Sequence, residues 1–236
     1  ALRNAALRRD LLDAFRILDV EGQNSGIAGH VTCRIPGSEA LLGHGYGLAF
    51  DEVDERTIHQ ADFELNCTDG GRVSPSLAFH VEIYRAQSGL GAVVHTHGRH
   101  AIALSAAGAR FRPVYQSALM LWERVATYDR YDGIVESLEV GQRMAAALGE
   151  GRVLALRNHG IVAVGATVRE AVCAAVIYEE NCAIQLMAMA AGSVVDLGGD
   201  AAAEARDVLT SPRVIDMRWV QLARKAARAF SATGSS

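Results

Sequence analysis

Cysteine, proline and aromatic side chains are all scarce in this 236-residue chain: there are 4 Cys and 4 Pro, and 6% of residues are aromatic. The cysteines, Cys33, Cys67, Cys173 and Cys182, are widely spaced and form no C-x-x-C pair. That points away from a zinc-thiolate or dithiol redox site and reads as reduced, buried thiols of an intracellular, cytoplasmic protein. An excess of one charge sign is also lacking. With 23 basic and 27 acidic residues the formal net charge is −4, so there is no electrostatic footprint for nucleic acid. A charged fraction of 21% with so little proline argues against a long disordered chain. No apolar run reaches the roughly 18–20 residues of a membrane span, and the first ten residues carry no secretory h-region. Neither nucleic acid nor membrane is therefore an expected partner. Half of the residues are hydrophobic, enough for one buried core. The residue that stands out is histidine: there are 8, three of them between His95 and His100.

Periodicity sets out the elements. Leu7, Leu11, Leu12, Phe15 and Leu18 share one helical face, with Gly22 as a stop. The segment Ser25–Ile35 ends in strand-like alternation, and Gly43, Gly45 and Gly47 bracket a loop. Residues 61–67 read as a strand, followed by a hairpin turn at Thr68-Asp-Gly-Gly71. Helices are expected over 76–86, 100–107, 138–148, 168–191 and 212–230, and strands over 91–97 and 153–164, the latter broken at Asn158-His159-Gly160. Strands and helices mix without strict βαβ alternation, which suits an α/β or α+β sheet with helices on its faces.

The chemistry starts at Val93-Val-His95-Thr-His97. Residues i and i+2 of a strand project to one face, so two imidazoles can reach one ion. Zinc, manganese, cobalt or iron accepts neutral imidazole. His159, in Arg157-Asn-His-Gly160, sits at a strand–turn junction and can lie beside them in a sheet. Three histidines with an open position describe a catalytic rather than a closed structural metal site.

Ala92-Val-Val-His-Thr-His97 together with Asn158-His159-Gly160 resembles the class II aldolase/adducin family, which includes fuculose-phosphate aldolases and ribulose-phosphate epimerases. Gly26-Ile-Ala-Gly-His-Val-Thr-Cys-Arg34 is similar to the family's G-x-x-G-N-x-S-x-R stretch. Pro75-Ser76 through Phe79-His80 and Ile83-Tyr84 is similar to its P-S-x-x-x-x-H-x-x-I-Y helix. The resemblance runs from about residue 7 to about 192. It implies an αβα sandwich with a central, mostly antiparallel sheet, a single domain over 1–236 with a C-terminal helix and flexible tail after about 210. It implies a divalent ion on His95, His97 and His159, with Zn2+ ahead of Mn2+, Co2+ or Fe2+. It also implies a homotetramer with active sites between subunits.

The departures from the pattern bear on the reaction. In the sugar-phosphate aldolases an asparagine, a Thr-Gly loop and two serines grip phosphate. The corresponding stretches here are Gly29-His30, Tyr46-Gly47 and Ser74-Pro75. Proline has no N–H, and tyrosine is bulky where a small hydroxyl should approach. A non-phosphorylated substrate is expected, with Gly29, Tyr46, Gly47 and Ser74 as binding positions. The family's proton-shuttling glutamate corresponds to Ser76, a poor general base unless activated. Candidates to move the proton are Ser76 itself, His30, Glu123 and a tyrosine, Tyr115 or Tyr131. Decarboxylation of a small hydroxy- or oxo-carboxylic acid, of which a hydroxylated aromatic acid is one case, needs the metal but no enolising base. The segment Tyr46–Phe50 suits an aromatic body or is ordinary core, and Arg34, Arg124 or Arg157 is available to a second carboxylate. Alternatives are a retro-aldolase of a hydroxy-oxo acid, an iron-dependent oxidative variant, and a non-enzymatic adducin-like scaffold. His80 reads as a packing histidine or one that supports the metal ligands from behind, His100 caps or hydrates the start of its helix, and His44 and His59 have no evident partner.

Overall fold

The computed structural model describes residues 2–133 and 137–233. The elements in chain order are α1 (Leu2–Val20), β1 (His30–Arg34), β2 (Ala40–His44), β3 (Ile58–Asp62), α2 (Ala78–Ala86), β4 (Ala92–Thr96), α3 (Arg99–Ala106), β5 (Val125–Tyr128), α4 (Leu138–Leu148), β6 (Val153–Leu156), β7 (Gly160–Gly165), α5 (Val168–Ala191), α6 (Asp200–Leu209) and α7 (Pro212–Thr233). The strands form one sheet in the order β3-β2-β1-β4-β7-β6-β5. Every neighbouring pair is antiparallel except β5 with β6, which is parallel. The expected αβα sandwich with a mostly antiparallel sheet is the architecture found.

Alternation along the strands builds two cores. Val94 and Ala163 join Phe15, Leu18, Cys173 and Ile177 from α1 and α5 on one face. Val93, Val162 and Val164 join Phe79, Ile83, Val140 and Met144 from α2 and α4 on the other. Period-2 projection sends consecutive valines of β4 into opposite layers. His95 follows Val93 in phase, so it faces the α2 side, where its ring meets Phe79 edge to face at 5.3 Å.

Two helices keep their expected bounds because their starts are chemically marked. Ser137 accepts from Val140 N ahead of α4, and Thr167 accepts from Glu170 N ahead of α5. By length and mean hydropathy α5 could cross a membrane, against the expectation that no segment qualifies. It is instead the central helix of a core, with Ala171, Val172, Cys173 and Ala175 fully or almost fully buried.

Other expectations shift. Gly43 lies inside β2, not in a loop, and the strand expected over 61–67 begins at Ile58 and ends at Asp62. Cys67 returns only a single bridge to Ala61, so Thr68-Asp-Gly-Gly71 turns the chain without joining a hairpin. Sequence reading passes over β5 and α6 altogether. The C-terminal helix extends to Thr233, and the tail at 234–236 lies outside the described residues. His44 ends β2 and His59 lies in β3, the latter paired with Asp69 at 3.2 Å.

Candidate metal centre

β4 is the middle strand of the sheet, and the ladder fixes what stands beside it. His30 of β1 is the cross-strand partner of His95, and Val162 of β7 flanks His95 on the other side. The turn joining β6 to β7 is Arg157-Asn-His-Gly160. Asn158 takes a left-handed φ of 53°, a conformation asparagine tolerates. At Gly160 a Cβ would stand 2.2 Å from the Thr96 carbonyl oxygen, so only glycine lets the turn close on β4. That approach brings His159 to the end of β4.

The result is a group of three imidazoles whose potential ligand nitrogens all lie within 4.8 Å of one another: His95, His97 and His159. The His95 and His97 rings meet at 4.6 Å, His97 and His159 at 4.8 Å. Hydrogen bonding sets their tautomers. Nδ1 of His95 lies 2.8 Å from the Ile161 carbonyl oxygen, which can only accept, so Nδ1 carries the proton and Nε2 keeps its lone pair. Nδ1 of His97 is 2.9 Å from Ser25 Oγ, while its Nε2 is buried with no hydrogen-bond partner. A buried nitrogen left unpaired is costly, and a cation in reach of all three rings would satisfy it. Burial, then the neighbouring rings, pushes His95 well below its ordinary value; burial and His159 push His97 down to about 4, and burial lowers His159. All three are neutral at pH 7, the form that binds a divalent ion. The donor set fits such an ion.

Because Ser25 orients His97, Ser25→Ala should weaken divalent-metal binding by about 10-fold to 100-fold without changing the fold. Chelator competition against the wild-type protein measures this, and unchanged affinity would remove Ser25 from the site.

The histidines open onto a cavity of about 430 Å3. His30, Tyr46, Ser74 and Ser76, four of the positions named from the sequence, line it. Ser74 is buried and its Oγ accepts from Ser76 N at 3.3 Å, fixing the turn that starts α2. Tyr46 is about half exposed and lies under the Arg72 guanidinium at 4.8 Å. Sequence reasoning missed Phe79, Ile27, Ala28 and Asn158, which also line the cavity. Ile27 and Tyr131 form an exposed apolar rim; an isoleucine beside the Gly26 and Gly29 turn was the available signal.

Several expected positions fall elsewhere. Gly29 is not on the cavity wall: a Cβ there would sit 2.6 Å from Phe50 Cζ, so its bareness makes room for a core ring. Gly47 is a turn residue at φ +89°, also off the wall. The segment Tyr46–Phe50 is divided: Tyr46 faces the cavity, whereas Phe50 is wholly buried against Phe15 at 5.2 Å. Glu123 is exposed and lies 3.9 Å from Arg206. Tyr115 donates to Glu180 Oε2 at 2.6 Å; burial and that carboxylate push its phenol up, so it holds its proton at neutral pH. Within one chain neither reaches the histidines. None of Arg34, Arg124 and Arg157 lines the cavity; their guanidinium groups donate to the carbonyls of Tyr84, Glu150 and Asp129.

The imidazoles extend inward from the cavity. His44, 4% exposed, packs edge-on to Phe15 at 4.8 Å, and burial pushes it down to about 4 despite a hydrogen bond to the Leu48 backbone. The folded chain refuses a proton that an unfolded His44 accepts near 6.5. Stability is therefore full above that value and declines as pH falls toward 4, by about 3 kcal/mol from this residue. Denaturant titration of metal-free protein at pH 7 and pH 4.5 should show the loss, and His44→Leu should flatten part of it.

Known proteins share this arrangement of elements. A family model described as the Class II Aldolase and Adducin N-terminal domain matches residues 9–186. A 3,4-dihydroxyphthalate decarboxylase from a Terrabacter species is 30% identical over 223 residues, covering 88% of this chain and 90% of its own. An aldolase II superfamily protein from Pseudomonas syringae superposes with a TM-score of 0.84 at 29% identity, over 95% of this chain and 93% of the other. An L-fuculose 1-phosphate aldolase from Glaciozyma antarctica shares the fold, with a TM-score of 0.84 at 24% identity over 97% and 91% of the two chains.

Proposed function

We propose that this chain, which belongs to the class II aldolase and adducin family, is a lyase that decarboxylates a small, non-phosphorylated hydroxy- or oxo-carboxylic acid. One observation carries the reading. Among the described residues of one chain, no Asp, Glu, Lys or Arg lines the cavity onto which His95, His97 and His159 open together, although Arg130, Asp132 and Arg157 stand in an adjoining pocket that shares Tyr131, Gly133 and His159. Without a carboxylate on that wall there is no strong base to strip a carbon-bound proton, the step that opens aldol addition. The phosphate grip is missing too: the Asn, Thr-Gly and second Ser that supply it in sugar-phosphate aldolases are His30, Tyr46-Gly47 and Pro75 here. Loss of carbon dioxide needs neither.

His95, His97 and His159 would hold the divalent ion, Zn2+ being the first expectation for an all-imidazole set. When bound, the ion supplies Lewis acidity toward the substrate's carboxylate and neighbouring oxygen. The rest falls to the chain. Phe79 closes the inner wall, and Ile27, Tyr46 and Tyr131 give an apolar rim that suits an aromatic or otherwise uncharged body. His30 stands one rung across from His95, its ring stacked at 5.9 Å and 19°, and is the titratable group best placed to carry a proton. The carbon–carbon bond breaks, carbon dioxide leaves, and the electron pair stays on the substrate carbon. Neutral His30 takes a proton from a substrate hydroxyl before the bond breaks and returns that proton to the carbon, and water then reprotonates the oxygen. A homotetramer with sites completed between subunits belongs to the same proposal.

The test is a product assay on metal-loaded protein with a panel of hydroxylated aromatic acids and oxo acids. Stoichiometric carbon dioxide release is expected. Formation of pyruvate or an aldehyde instead, or tight binding of dihydroxyacetone phosphate, would overturn the reading in favour of aldol cleavage.

A further inference from the structure

Behind the cavity wall lie two more buried imidazole nitrogens with nothing to bond. Nδ1 of His30 and Nε2 of His80 have no hydrogen-bond partner, and their residues are 5% and 0% exposed. The two rings meet edge to face, with centroids 5.9 Å apart at 88°. Two orphaned polar atoms at one ring contact are rare in a folded core, and each has a cause that can be traced.

The hydrogen count begins at Tyr84, which is fully buried. Its single hydroxyl hydrogen goes to the Thr32 carbonyl oxygen at 3.1 Å. The contact between Thr32 Oγ1 and Tyr84 Oη at 2.9 Å must then be donated by threonine. Threonine has no second hydrogen, so the 2.9 Å contact between His80 Nδ1 and Thr32 Oγ1 is donated by histidine. His80 is thereby fixed as the Nδ1–H tautomer, and its Nε2 bears a lone pair. Burial, followed by His95 and His44, pushes His80 well below its ordinary value, so Nε2 stays bare. The acceptor needs a donor, and His30 Nδ1 is the unpartnered nitrogen on the ring it touches.

We propose that His80 is a positioning residue for His30: its Nε2 receives the His30 Nδ1–H across one bridging water. His30 lines the cavity while its Nδ1 is sealed from it, so the opposite edge, with Nε2, meets the substrate space. The chain Tyr84–Thr32–His80–His30 then dictates which nitrogen does the work. Neutral His30 offers Nε2 as a proton acceptor, takes a hydroxyl proton there, and returns it from the same atom. Thr32 precedes Cys33 on the strand that begins with His30, so the chain is anchored in the ladder that also holds His95. The inference rests on His30 as proton carrier.

Long-range proton–nitrogen correlation on metal-free protein labelled with 15N-histidine reads the tautomers without any substrate. Both His80 and His30 are expected as Nδ1–H forms; an Nε2–H form at His80 would overturn the proposal. Thr32→Val should release His80 into a tautomer mixture, and His80→Leu should release His30. With metal, His80→Leu should lower kcat about 10-fold to 100-fold at unchanged KM and unchanged metal content, and His80→Gln should recover part of it. An unchanged kcat, or a loss confined to KM or to metal content, would also overturn it. If the tautomers are as expected but no acid releases carbon dioxide, the decarboxylase reading fails and the positioning role stands.

Discussion

His97→Ala and His159→Ala proteins are expected to fold like the wild type and to purify without divalent metal. Loss of a ligand exceeds the roughly 10–100-fold that loss of an outer partner brings, so retained affinity should be negligible and turnover should fall to background. Metal analysis after loading and chelator competition give the direct readout. Both side chains are only part-buried and their neutral rings crowd one another without an ion, so metal-free variants should melt where metal-free wild type does. Added metal should raise only the wild type, by about 2.7 kcal/mol at one hundred times Kd. His95→Ala is a poorer probe, because its ring packs on Phe79 in the core. A full metal complement in either clean variant would show the ligand set to be wrong. Failure of the wild type to take up any ion would favour the scaffold reading.

His30→Asn is the second large effect. It restores the residue that sugar-phosphate aldolases carry and removes the proposed proton carrier. Metal content should not change, since His30 is not among the three clustered ligands. Carbon dioxide release should fall by about 10²–10⁴-fold, the usual contribution of a positioned acid or base. Steady-state rates at matched metal occupancy test this. A rate within a factor of a few of the wild type would move the proton transfer to another group, with Ser76 next on the cavity wall.

How much of this was legible in the sequence follows from what each residue reports. His95 and His97 announce themselves because a strand's period puts them on one face without any tertiary knowledge. His159 becomes a candidate through the Asn-His-Gly turn, whose left-handed asparagine is a local feature, although the need for a bare glycine comes from the distant Thr96 carbonyl. Helices α4 and α5 keep the bounds read from the sequence, and in the structure Ser137 and Thr167 cap their starts. β2 was not, because Gly43 reads as loop although it sits in register opposite Thr32. β5 was missed because Val125, Ala126 and Thr127 are only half-buried and show no clean alternation. α6 buries Ala202 alone, so it has almost no apolar stripe to detect. Glu123 and Tyr115 could be named by residue type but not located, since their positions depend on Arg206 and Glu180, which are distant in sequence. The His80 chain was invisible for a related reason: Thr32, 48 residues away, is what gives that histidine a direction.

The position of β4 has a consequence for the order of events during folding. Its histidines are held by Ser25 and by Ile161, residues 72 and 66 positions away on opposite sides. Loops of that length close late, after local helices have formed. The third imidazole arrives with the same distant hairpin. A growing chain therefore offers no three-histidine cluster until β7 has docked, and the ion should select the finished sheet rather than nucleate it. Metal added to refolding protein is accordingly expected to slow unfolding while leaving the folding rate unchanged.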